Sequence, residues 1–133
     1  MVVRHEDGGL ADDLAARGIE VVAVNHGEDL AARISAVGPL DGVLSLLAAE
    51  GDPEALWHTA ELLQGLDALD VHAPLWCVTR GAVSTSRTDP VTDPTQAQIW
   101  GLGRVAALEL PQRWGGLVDL PATPDARALD ALA

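Results

Sequence analysis

Short apolar runs, several of them β-branched, alternate with helix-like stretches from one end of this chain to the other. The runs read VVR, IEVVAV, VLSLL, PLWCVT and GLVDL. A parallel sheet produces this alternation, because each connection between parallel strands must cross the sheet and does so most readily as a helix. The expected fold is therefore α/β, a mostly parallel sheet of about five strands flanked by helices on both faces. At 133 residues the chain has the length that one hydrophobic core usually serves, so residues 1–133 are expected to form one domain without an internal linker.

Turn-forming and capping residues divide the elements. After a strand at Val2–Arg4, Gly8-Gly9 opens a helix with Leu10, Leu14 and Ala15 on one face, and Arg17-Gly18 ends it. Ile19 to Val24 reads as a buried strand, and the helix carrying Leu30, Ile34 and Val37 stops at Gly38-Pro39. A third strand, Val43 to Leu47, precedes the clearest helix start. There Asp52 can accept from first-turn amides, and Pro53 sits where a missing N–H costs nothing. Leu56, Ala60, Leu63 and Leu66 are the expected core stripe of that helix. Pro74 to Thr79 is the fourth strand, and Arg80 to Pro94, rich in Ser, Thr, Pro and Asp, reads as a long surface loop. Asp93-Pro94-Thr95-Gln96 combines an N-cap, a first-turn Pro and a Gln that can reach back, so a helix should run from there to about Glu109. Gly116 to Leu120 is the fifth strand, and Pro124 to Ala133 begins a last helix.

Charge and composition narrow the function. Eight basic residues, all Arg, stand against 20 acids, giving a formal net charge of −12. Nucleic acid is not an expected partner, since phosphate binding is driven by Lys and Arg displacing counterions, and an anionic membrane is disfavoured for the same reason. The single Cys77 cannot form an intramolecular disulfide, and MVVRHEDGG lacks the apolar core of a signal peptide. No apolar run approaches the roughly 18 residues of a spanning helix, and the expected compartment is cytoplasmic. The chain contains no Lys and no Tyr, which excludes any chemistry that needs either side chain.

Gly101-Leu102-Gly103-Arg104-Val105-Ala106 fits the G-x-G-x-x-G/A dinucleotide pattern, with Asp119 as a following acid on a strand. That pattern works only on a strand-to-helix turn, where free amides meet the pyrophosphate. With a helix starting near Pro94, the glycines fall inside it and serve packing instead. The dinucleotide reading needs residues 94–100 to be a strand and is kept as the alternative. On the expected helix, Ile99, Leu102, Ala106 and Leu110 face the sheet with Gly103 beside them. Trp100, Ala107 and Leu108 form a second apolar face that a partner could cover.

Bland readings win elsewhere. Cys77, inside a strand, is expected to be a small core residue rather than a nucleophile. His5, His26, His58 and His72 lack ligand spacing, so no metal site is expected. Ser84, Thr85 and Ser86 have no G-x-S-x-G elbow around them. Glu6-Asp7 and Asp12-Asp13 could hold Mg²⁺ in a phosphoreceiver, but such a domain normally uses a Lys. Carboxylates solvated at a helix N-terminus explain them better.

From Pro74 the chain reads PLWCVTRGAVSTSRTDPVTDPTQAQIWGLGRVAALELPQRWGGLVDLP, and upstream GPLDGVLSLLA. These segments resemble the structural subdomain of the ketoreductase in a modular type I polyketide synthase. The resemblance implies a truncated Rossmann-like fold that binds no cofactor. It also implies a partner: the catalytic subdomain of the same synthase, which takes NADPH and brings a G-G-T-G-x-x-G loop with a Ser, Tyr and Lys set. No catalytic, cofactor-binding or metal-ligating residue carries over to this chain. The positions assigned to packing and the subdomain interface are Trp100, Gly103, Arg104, Ala107, Leu108 and Trp114.

Overall fold

A computed structural model describes residues 1–4, 9–25, 27–84, 86–88 and 90–132. The strands are β1 (Val2–Arg4), β2 (Ala23–Asn25), β3 (Val43–Ser45), β4 (Leu75–Arg80) and β5 (Trp114–Leu120). All pair in parallel, in the order β2-β1-β3-β4-β5. The helices are α1 (Leu10–Ala16), α2 (Leu30–Val37), α3 (Ala55–Ala68), α4 (Ala97–Glu109) and α5 (Ala126–Leu132), with a 3₁₀ turn at Pro94–Gln96 leading into α4. This is a doubly wound Rossmann-like sheet, as the alternation of runs requires.

Strand residues alternate between two apolar layers. Val3, Val43, Leu75 and Cys77 face a cluster completed by Leu62, Leu63 and Leu66 of α3 and Ile99 and Ala106 of α4, with Leu30 and Ile34 of α2 against it. Val2, Val78 and Leu120 face the opposite cluster with Leu10 and Ala11 of α1 and Leu129 of α5. α2, α3 and α4 therefore cover one face of the sheet, and α1 and α5 the other.

Boundaries shift where tertiary pairing decides them. The run from Ile19 to Val24 yields strand only at Ala23–Asn25, because its sole neighbour, β1, offers three residues in register. β3 stops at Ser45, after which residues 46–52 curl: the Glu50 amide donates to Leu46 O at 2.9 Å and the Asp52 amide to Leu47 O at 3.0 Å. Leu46 and Leu47 are nonetheless fully buried. β5 begins at Trp114 rather than Gly116, with a register shift between Leu75 and Trp76 that leaves Gly115 as an extra residue. The Trp76 indole lies over that bulge, and a Cβ on Gly115 would stand 2.4 Å from its Nε1.

On α3 the buried stripe is Ala55, Thr59, Leu62, Leu63 and Leu66, whereas Leu56, an expected core position, is 40% exposed. The first turn sets that rotation. Asp52 is buried, its carboxylate accepting the Glu54 amide at 2.9 Å and lying 2.6 Å from His58 Nδ1. The far end of α3 is tied to β5 by Arg113, which donates to Asp67 at 2.6 Å, to Asp70 at 2.9 Å and to the Val71 carbonyl.

Candidate functional site

The segment from Arg80 to Asp119 carries the residues of interest. Asp93 caps the start of the α4 region as expected: its carboxylate accepts the Thr95 amide at 3.1 Å, the Thr95 hydroxyl, and Gln96 Nε2 at 2.8 Å. These bonds, the Thr95 hydroxyl first, hold the Asp93 carboxyl below the usual range. Gln96 Oε1 in turn accepts the Arg80 amide at 2.9 Å, and the Gly81 carbonyl accepts the Thr92 and Asp93 amides at 2.9 and 3.0 Å. The long loop is thereby closed at its neck.

Gly101 and Gly103 lie inside α4, where amides bond to carbonyls one turn back. Gly103 is buried, and a Cβ there would lie 2.6 Å from Leu117 Cδ1 and 2.7 Å from Trp114 Cζ2. The same atom on Gly101 would meet nothing within 4 Å. Gly103 thus lets the helix approach β5. Asp119 is equally engaged. Trp100 Nε1 donates to Thr79 Oγ1 at 3.0 Å, and Thr79 donates to Asp119 Oδ1 at 2.6 Å. The Asp119 carboxylate also accepts the Ala82 and Val83 amides at 3.0 and 3.2 Å. A dinucleotide needs free amides on a strand-to-helix turn and an acid open to its ribose. Gly101, Gly103 and Asp119 do not fit that group, because the segment at 94–100 is helical and the acid anchors the loop.

The six positions assigned to an interface separate into two kinds. Arg104, Ala107 and Leu108 stand on the outer side of α4, and Leu108 is 83% exposed. Gly103 points inward, and Trp100 and Trp114 are half-buried behind it. Val105 on α4, 56% exposed, and Trp57 on α3, 66% exposed, also stand outward. Val105 was legible, since Gly101, Arg104, Val105 and Leu108 follow the spacing of one helix face. Trp57 was not, because its orientation depends on how the first turn of α3 is held.

Other reactive groups are accounted for by packing. Burial pushes the Cys77 thiol up to about 12, which removes it as a nucleophile at neutral pH. His58 pairs with Asp52, His72 lies exposed 3.6 Å from Asp70, and His5 and His26 fall outside the described residues. Asp12 and Asp13 are exposed in the first turn of α1, while Glu6, Asp7 and Thr85 are not among the described residues. Ser84 donates to the Ser86 carbonyl at 2.9 Å. Among the described residues no group of three or more His, Cys, Asp or Glu is placed to hold a metal ion, and no helix is long and apolar enough to cross a membrane.

The Rossmann fold domain of the polyketide synthase extender module SpnB matches residues 4–133. The chain belongs to this polyketide synthase family. Among curated relatives of this Rossmann domain, pikromycin polyketide synthase component PikAII of Streptomyces venezuelae is 52% identical over 120 residues, which cover 84% of the chain and 3% of that protein. Polyketide synthase GfsA of Streptomyces halstedii is 48% identical over 129 residues, covering 86% of the chain and 2% of GfsA. A C2-type ketoreductase from a modular polyketide synthase superposes with a TM-score of 0.85 at 43% identity, covering 98% of this domain and 33% of that chain. A-type ketoreductases give a TM-score of 0.83 at 38% identity, with 98% and 32% covered. The chain thus spans a few hundredths of the curated relatives and about a third of the solved ketoreductases.

Proposed function

We propose that this chain is the noncatalytic, structural half of a polyketide synthase ketoreductase. It supports a second, catalytic half that binds NADPH and reduces the β-keto group of an intermediate carried on an acyl carrier protein. One observation carries the reading: the chain has no Tyr and no Lys, and the two glycines of its G-x-G pattern, Gly101 and Gly103, lie within α4. Reduction of a ketone by this class of enzyme needs a proton donor and a nicotinamide site, and both must then come from another part of the polypeptide. The extent of the solved ketoreductases, three times that of this fold, leaves room for such a half.

The outer side of α4, with Arg104, Ala107 and Leu108, is the surface assigned to the catalytic half, while Trp100, Gly103 and Trp114 brace it from behind. NADPH titrated into the purified chain should give no saturable signal by calorimetry. A micromolar affinity, or ketone turnover by these 133 residues alone, would overturn the reading.

A further inference from the structure

Arg4, Arg17, Arg80 and Arg113 are the arginines that the fold half-buries. Three of them donate through Nε: Arg4 to Asn25 at 3.0 Å, Arg17 to Asp130 at 2.7 Å and Arg113 to Asp67 at 2.6 Å. Arg80 differs. Its Nε is buried, donates to none of the described residues, and its guanidinium pairs with no acid among them. A guanidinium cannot shed its charge by losing a proton. Withdrawing such a group from water without a partner costs free energy, so the exception calls for a reason.

Arg80 is the last residue of β4, in register with Leu120 of β5. Strand alternation puts it on the side of Val78, toward the α1 and α5 layer, at the carboxyl end of the parallel sheet. Open α/β sheets take their ligands at that end. The described acids of the segments leaving β4 and β5 are engaged elsewhere: Asp119 by Thr79, Ala82 and Val83, Asp93 by Thr95 and Gln96, and Asp125 by the Ala128 amide. The backbone beneath Arg80 is fixed, its amide donating to Gln96 Oε1 and the Gly81 amide to Leu120 O, each at 2.9 Å. The head is held by no such bond, so it can turn to a ligand at the sheet end without breaking one. We propose that Arg80 anchors an oxyanion site there and takes a phosphate group through the paired N–H groups of its planar fork. This goes beyond the structural-half reading and leaves it intact, because the contact is to a single anion and Gly101, Gly103 and Asp119 offer no dinucleotide site.

The test uses the intact ketoreductase with NADPH at saturation, so that a cofactor site in the catalytic half is already filled. Inorganic phosphate replaces chloride at a constant ionic strength of about 0.15 M, where charges are screened beyond about 8 Å. The net charge of −12 repels anions at long range, so a saturable signal reports a local contact. The Nε–Hε resonance of Arg80, assigned by its loss in Arg80→Lys, should shift with half-saturation at roughly 1 mM, the strength of about two charge-assisted bonds. The resonance of Arg87, an exposed loop residue, should not saturate. A shift linear in phosphate, or the same at both arginines, would overturn the site. In a second arm, phosphate should raise the thermal midpoint of the parent and of Arg87→Gln but not of Arg80→Gln, and equal rises in all three would also overturn it. The structural-half reading fails separately, on micromolar binding of NADPH by the 133-residue chain.

Discussion

Replacing Gly103 and Gly101 by alanine separates packing from helix propensity within one helix. Each substitution removes the same backbone freedom and gains about 1 kcal/mol of helix propensity. At Gly101 nothing lies within 4 Å of the new methyl, so that gain should appear undiminished. At Gly103 the methyl would sit 2.6 Å from Leu117 and 2.7 Å from Trp114, against an ordinary carbon contact of about 3.5 to 4.0 Å. Relieving overlaps of about 1 Å moves α4 off β5 or drives two side chains off their rotamers, a cost of roughly 1 to 3 kcal/mol. The Leu117 end can swing, but the Trp114 ring is flat and rigid, so the upper part of that range applies. Gly101→Ala should therefore be more stable than the parent by about 1 kcal/mol and Gly103→Ala less stable by up to about 2 kcal/mol. Urea unfolding followed by circular dichroism, with unchanged slope, reads the difference directly, and thermal midpoints should differ by roughly 3 to 10 °C. Equal stabilisation by the two alanines would refute close packing as the reason for Gly103.

Four further outcomes follow from the same structure. Gly115→Ala should destabilise and alter the near-ultraviolet signal of Trp76, because the new methyl enters the indole; an unchanged signal would contradict the bulge. Asp119→Asn should cost about 1 to 3 kcal/mol by removing an ionised acceptor from two amides and a hydroxyl, and hydrogen exchange at Ala82 and Val83 should accelerate. The Asp93 carboxyl, held low by Thr95 and Gln96, favours the fold above its unfolded value of about 4, and this contribution is lost as the pH falls through the lowered folded value. Asp93→Asn should accordingly flatten the acid limb of stability, measured as denaturation midpoint against pH. Cys77, its thiol pushed up to about 12 by burial, should react with Ellman's reagent at pH 8 only as fast as the protein opens; rapid labelling of the folded chain would show that the strand is not closed.

Part of this was readable residue by residue. Asp93 through Gln96 announced the start of the α4 region because capping chemistry is local: an acid, a proline and a glutamine within one turn satisfy one another's backbone neighbours. The same start exposed the dinucleotide pattern at Gly101 and Gly103 as a packing motif. Asp52 shows the limit. Its carboxylate accepts the Glu54 amide, as a residue at a helix start should, but the helix itself begins only at Ala55, the same carboxylate holds His58, and Leu56 and Trp57 both stand exposed.

The sequence by itself determined the α/β class, the parallel sheet, the inwardness of Gly103 and the absence of a phenol or a primary amine on any side chain, because periodicity, turn chemistry and residue inventory act over a few neighbouring positions. Only the tertiary structure decided that Asp119 is spent on Thr79, Ala82 and Val83, that Gly115 bulges beneath Trp76, and that Leu56 and Trp57 of α3 both stand exposed. Those features join residues tens of positions apart, and which side of a helix meets the sheet is fixed by the packing of both.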